Sequence, residues 1–190
     1  IDPNATDVSQ MSSPPSLAHI FGTDEVGRDY FIRVVYGGRI SLLVGVLAMI
    51  ASTLIGTFIG IISGYFGGWL DSLLMRIVDI LSSIPWLVLV IVLSVLLKPG
   101  LVTIIFVIGC FSWMSIARLI RAETLSVKER EYVIYAQFIG EKDSKIIRRH
   151  IFPAVLPTLI VAGTGSISSA IMTESALSFL GIGIQPPVAS

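Results

Sequence analysis

Apolar residues in this chain run in long unbroken stretches, not in the period-2 alternation of a half-buried strand. Residues 40–70, 80–97, 99–117 and 151–173 contain no Asp, Glu, Lys, Arg or His. A helix needs about 17–25 mostly apolar residues to cross a bilayer, so the pattern predicts four membrane-spanning helices. The second run alone would cover only about 27 Å at the helical rise per residue. Its helix is therefore expected to begin near Leu73, with Arg76 and Asp79 at headgroup level, and to kink at Pro85. Before the first run lies a polar, Pro/Ser-rich opening, IDPNATDVSQMSSPPS. It lacks a basic segment followed by an apolar core, so we expect no signal peptide there.

Charge placement orients these spans. Arg118, Arg121, Lys128, Arg130, Lys142, Lys145, Arg148 and Arg149 supply eight of the 13 Lys and Arg residues, all between the third and fourth runs. By the positive-inside rule that segment is cytoplasmic. Alternation then places residues 1–39 outside as an extracytoplasmic arm, the membrane core over 40–180, and the tail 181–190 outside. The turn around Gly64–Asp71 falls inside and Lys98–Gly100 outside. Composition agrees: 54% of residues are hydrophobic, 14% are charged, and the mean hydropathy is +0.87. A soluble domain carries about 25% charged residues.

Several kinds of chemistry are excluded or unsupported. The net charge of +0 gives no electrostatic footprint for nucleic acid. The lone Cys110 sits in an apolar run, as packing rather than reactive thiol. His19 and His150 are assigned to opposite sides of the membrane and cannot share a metal, so we assign no metal site. No HExxH, GxSxG or GxxxxGK[ST] motif occurs, and we assign no catalytic residue and no cofactor to this chain. The centres of the spans lack ionisable residues, which argues against a proton- or voltage-driven machine acting alone. Energy for transport would have to arrive from a partner. Gly56 and Gly60 form a GxxxG pair that we read as packing within the bundle in preference to a dimer face.

The segment EYVIYAQFIGEKDSKIIRRHIFPAVLP, residues 131–157, is the candidate handle for that partner. Tyr132, Tyr135, Ala136 and Ile139 fall at i, i+3, i+4 and i+7, one stripe of a short helix beginning at Glu131. Gly140 follows, the residue that ends a helix in the left-handed conformation at least cost. Asp143 or Ser144 is expected to cap a second short helix through Ile146, Ile147 and Ile151, which Pro153 ends or bends. Two short helices at an angle make a compact knob that would dock on a soluble partner. The competing reading is an interfacial helix with its bases on anionic membrane lipid.

This loop resembles the cytoplasmic loop of ABC importer permeases, whose signature reads Glu-Ala-Ala, three residues, Gly, nine residues, then Ile-x-Leu-Pro. The spacing from Gly140 to Pro153 is kept and Ala136 matches, while Ile134 stands where that signature has glutamate; Tyr135, His150 and Phe152 also depart. His150 is similar to the His-Ile-Leu-Pro of the peptide and nickel branch. FGTDEVGRDYF (residues 21–31) and TESALSFLGIGIQPP (residues 173–187) resemble two further elements of that branch, in the same order.

The resemblance implies an all-α integral membrane permease of the type I-like kind, in a prokaryotic plasma membrane. In that family one further helix stands at each end. It implies a second homologous permease, two ABC ATPase subunits that carry the ATP and Mg, and an extracytoplasmic solute-binding protein. The loop at about 118–153 would couple permease to ATPase through Glu131, Tyr132, Tyr135, Ala136, Gly140, Ile151 and Pro153. The solute would be peptide, with nickel or another small solute as the alternative.

Candidates for the translocation path are Thr164, Ser168, Thr173 and Glu174, on the polar side of the last span. For Glu174 a helix-end or subunit contact is the default reading. A four-span channel or secondary transporter, and a purely structural membrane subunit, remain as competing functions. Asp24 is expected to cap a helix whose Phe31, Val34 and Val35 rest on the outer membrane face.

Overall fold

The computed structural model describes residues 2–97 and 100–181. The expected tail beyond Gly181, with most of the GIGIQPP stretch, and the Lys98–Pro99 turn lie outside the described residues. Among those described, the elements are helical: α1 (Tyr30–Phe66), α2 (Gly68–Ser83), α3 (Trp86–Leu97), α4 (Leu101–Lys128), α5 (Glu131–Phe138), α6 (Asp143–Ile146) and α7 (Phe152–Phe179). A π-helical turn, Ile147–Ile151, joins α6 to α7 without a break. A short 3-10 turn, Val8–Gln10, precedes them in the arm.

Among the described residues, three helical stretches are long and apolar enough to cross a membrane: Tyr30–Phe66, Leu101–Lys128 and Asp143–Phe179. The second predicted span takes a different form. Pro85 does not merely kink it: Ile84 is extended (φ −80°, ψ 126°), and two helices, α2 and α3, stand where one was expected. Proline removes an N–H and clashes with the preceding turn, so a helix that must change direction breaks there. The 12 residues of α3 span about 18 Å.

The bundle is organised by small residues on α1. A Cβ built on Gly56 would lie 2.8 Å from the Ile116 Cβ, on Gly60 2.7 Å from the Ala117 carbonyl oxygen, and on Gly64 2.8 Å from the Thr124 Cβ. Residue numbers rise together along α1 and α4, so the two helices run parallel in near backbone contact. The GxxxG pair is therefore internal packing, and Gly64 extends it by one more turn. Nearer the start of α1, Gly45 meets Ile167 and Ile171 and Met49 meets Gly163, so α7 runs antiparallel to it. Val44, Ala48, Ile104, Ile108 and Ala170 fill the core where the three helices meet.

The arm is tied down by its own charges. Asp29, not Asp24, caps α1, its carboxylate accepting from the Ile32 N–H at 3.0 Å. Asp24 instead closes the turn before it, accepting from the Val26 N–H (3.0 Å), the Arg28 N–H (2.9 Å) and the Arg28 Nε (2.7 Å). Asp29 is one residue from the helix start and Asp24 six, which is why the nearer carboxylate reaches the first-turn donors. Gly27, at φ +77°, presses against the Asp7 backbone, so GTDEVGRD is a folding motif of the arm.

The hydrogen bond from His19, then the Ile32 N–H, holds Asp29 below the ordinary 3.8. For Asp24 burial pushes upward, but the bonds from Arg28 and Val26 outweigh it and the carboxyl is also lowered. A depressed carboxyl stabilises the fold above its unfolded pKa and loses that contribution as pH falls through the folded one. Amide exchange at residues 22–33 should therefore stay slow down to the ordinary carboxylate value of 3.8, then quicken as pH drops further. Loss of protection centred near about pH 6 would show that these carboxylates do not control the arm.

Candidate functional site

At the end of the bundle away from the arm, α5, α6 and the π-helical turn form a knob fused to the spans. Local sequence builds it in three steps. Arg130, in extended conformation, starts α5, and Gly140 (φ +77°) ends it. The Gly140 N–H donates to the Gln137 carbonyl and the Glu141 N–H to the Ala136 carbonyl, each at 3.0 Å, the paired closure of a Schellman motif. Lys142 then precedes α6, and the helix continues through the π-turn past Pro153 into α7.

Two expectations are corrected here. Neither Asp143 nor Ser144 caps the second helix: Lys142 holds that position without a side-chain bond, and Asp143 opens α6. Asp143 is drawn away because its carboxylate accepts from the Tyr65 hydroxyl of α1 at 2.8 Å. Pro153 does not end the helix either. It follows on the π-turn, whose wider spacing makes room for the ring and lets the helix run on into α7.

One hydrophobic cluster runs from the spans into the knob. Ile61 and Tyr65 of α1, Ile116 and Ile120 of α4, and Val155 and Leu159 of α7 pack with Val133, Ala136, Ile146 and Ile151. Polar ties reinforce it: Lys128 Nζ donates to the Tyr65 carbonyl at 2.6 Å, and Arg121 grips both oxygens of Asp71 at 2.5 and 2.6 Å. Glu141 pairs with Lys145 at 2.5 Å and lies 3.3 Å from His150 Nε2. The Lys145 hydrogen bond, against some burial, keeps the Glu141 carboxyl below its ordinary range. These contacts join the knob to the ends of α1, α4 and α7.

The predicted residues therefore divide. Ala136 (4% exposed) and Ile151 (0%) are core, so they position the knob and cannot touch a partner. Gly140 shapes the turn and Pro153 the start of α7. Glu131, Tyr132 and Tyr135 are on the surface. The buried stripe of α5 is Val133 and Ala136, not Tyr132, Tyr135, Ala136 and Ile139 together. Sequence reasoning missed Phe138, which is 87% exposed and extends the apolar surface of Tyr135 (66%), Ile134 and Ile139. Its signal was an aromatic residue in a charged loop. Because α5 is apolar on nearly every side, periodicity alone could not choose the buried stripe.

The path candidates also separate. Glu174 is buried (1% exposed) and accepts from Ser41 of α1 at 3.0 Å and from Ser178 at 2.8 Å. It joins two helices of this chain and does not face an open path. Thr164 donates to carbonyls of its own helix, Ile160 and Val161, at 2.9 Å each, and Ser168 is exposed. Two of the four line cavities: Thr164 one of about 220 Å³ between α1 and α7, with Met49 and Thr53, and Thr173 one of about 260 Å³ between α3, α4 and α7, with Trp86, Phe111 and Ser169.

Residues 56–190 match the family model of the binding-protein-dependent transport system inner membrane component. The chain belongs to this family. The match takes in the knob and most of the bundle. The chain is 46% identical over 183 residues to the dipeptide transport system permease protein DppC of Bacillus subtilis (strain 168), covering 96% of this chain and 57% of that protein. It is 42% identical over 189 residues to the oligopeptide transport system permease protein OppC of the same organism (100% and 62%). It is likewise 42% identical over 184 residues to the glutathione transport system permease protein GsiD of Escherichia coli O6:K15:H31 (97% and 61%). The chain thus spans about three fifths of the length of these relatives. Family membership and the three apolar spans make it a multi-pass inner-membrane protein.

Proposed function

We propose that this chain is the core of a permease subunit of an ATP-binding-cassette importer for peptides. The knob is its coupling element, seated in a cleft on an ATPase subunit. The observation that carries this reading is an exposed apolar surface, Tyr135 with Phe138 and Ile139, on a short helix whose other side belongs to the core of the spans. A lipid-facing connector would not need that continuity. Closure of two partner ATPases, which hold the ATP and Mg, would move both knobs and with them α1, α4 and α7. Such a rigid-body switch needs only that the partner contacts differ between two states. A second permease completes the path, and an extracytoplasmic binding protein delivers the solute.

Peptide is favoured over nickel because the named relatives serve dipeptides, oligopeptides and glutathione, all chains of amide-linked residues. Hydrolysis belongs to the ATPase chains in this reading. The test is co-purification of the complete tagged protein from gently solubilised native membranes, with partners identified by mass spectrometry. Wild type should bring an ABC ATPase. Phe138→Asp, which changes a side chain outside the core, should lose it by about tenfold or more while a second permease stays bound. An intact membrane complex without any ATPase would sink the importer reading.

A further inference from the structure

The break at Pro85 has a use that the knob does not explain. Pro85 has no N–H, so the Leu81 carbonyl lacks its helical donor, and Ser83 turns its hydroxyl back to the Ile80 carbonyl at 2.7 Å. Non-helical backbone at membrane depth is tolerated where protein buries it or where it lines a water-filled cavity. Here Ser82, Ser83 and Trp86 are exposed. Together with Ser115 and Phe111 of α4 they line a cavity of about 410 Å³. Arg118 lines it too, paired with Asp79 at 3.0 Å, and both side chains are about half exposed (48% and 59%). Asp79, expected at headgroup level, and Arg118, the first base of the cytoplasmic segment, set this pair at the cytoplasmic mouth of the cavity, where charge meets water and not lipid. The second cavity, with Thr173, shares Trp86 and Phe111 with the first.

We infer that these two cavities form one aqueous trough, and that it takes a short zwitterionic peptide on its way through the membrane. This inference rests on the importer reading. Hydroxyls of Ser82 and Ser115 and the Leu81 carbonyl, left without a donor at Pro85, offer acceptors to main-chain N–H groups of any sequence. Arg118, by exchanging Asp79 for the carboxylate terminus of the peptide, offers the charge that holds one end. Nothing in the lining selects a particular side-chain charge. Trp86 and Phe111 stand at the junction between the two cavities. The residues of the path thus come mainly from the broken helix and α4, with α7 contributing Thr173 and Ser169.

The test uses the complete importer, with its ATPases and binding protein, in proteoliposomes. In a Cys110→Ala background, Ser115→Cys should react with a charged, membrane-impermeant thiol reagent at least about tenfold faster than Phe106→Cys, as expected of water against a dry α4 surface. Trialanine with ATP should slow that reaction. Arg118→Gln should lower uptake of labelled trialanine about tenfold, the scale of one lost charged hydrogen bond. Arg118→Lys should restore part of it, which a purely structural loss would not predict. Equal, slow labelling of both cysteines would overturn the trough even while wild-type uptake upholds the importer reading. Absence of ATP-dependent trialanine uptake in wild type would instead strike the peptide-importer reading, and with it the peptide assignment of the trough. The thiol rates would still decide whether the cavity holds water.

Discussion

Gly60→Leu is expected to leave the protein unable to assemble its bundle. A Cβ at that position already lies 2.7 Å from the Ala117 carbonyl oxygen, 2.9 Å from the Ile120 Cβ and 3.0 Å from the Arg121 nitrogen. Two of these atoms are backbone and cannot rotate aside. Relief requires pushing α1 away from α4, and that would open the contacts at Gly56 and Gly64 as well. Overpacking of this kind costs about 1–3 kcal/mol where a core can adjust, and more where it cannot. Gly60→Ala should fall in that range and Gly60→Leu beyond it. Gly165→Ala is the control, since a Cβ there meets nothing within 4 Å. The measurement is the fraction of detergent-solubilised protein that stays monodisperse after a heating series. Equal survival of Gly60→Leu and Gly165→Ala would show that the α1–α4 contact does not hold the bundle.

Gly140→Pro should separate the handle from the bundle in function while sparing the spans. Proline cannot take φ +77°, and it removes the N–H that reaches the Gln137 carbonyl at 3.0 Å. The Schellman closure is lost with it, and the direction in which the chain leaves α5 changes. Nothing lies within 4 Å of a Cβ at this position, so the damage is conformational and local. The expected result is a folded membrane complex whose bound ATPase is lost, or whose ATP hydrolysis no longer responds to solute. Gly140→Ala should lie between, since an L-residue pays about 1–2 kcal/mol in the left-handed region. Full coupling in Gly140→Pro would mean that the geometry of this turn is irrelevant to the partner.

These two glycines show why local reading reaches one kind of feature and not another. Gly140 was legible because a helix end needs a residue that enters the left-handed region cheaply, and that need is local. Gly56 and Gly60 were legible as a close-packing pair, but which helix they face was not, and Gly64 became part of the seam only once α4 was beside it. On α5 the apolar residues surround the helix, so its stripe was ambiguous until Val133 and Ala136 met Ile146 and Ile151. Asp143 was read as a cap because its neighbours in sequence suggested one. Its partner, Tyr65, lies 78 positions away in the chain.

Sequence by itself determined that the chain lives in a membrane, where its long apolar stretches lie, which loop gathers the positive charge and where that loop turns. These follow from transfer energies and backbone preferences that act within a few residues. Only the tertiary structure decided that Pro85 divides a span, that Glu174 pairs with Ser41 instead of lining a path, and that the knob is continuous with the core. Each of those depends on which helix stands opposite. In an apolar solvent that choice rests on shape and on hydrogen-bond partners distant in sequence, because apolar side chains are equally satisfied by lipid.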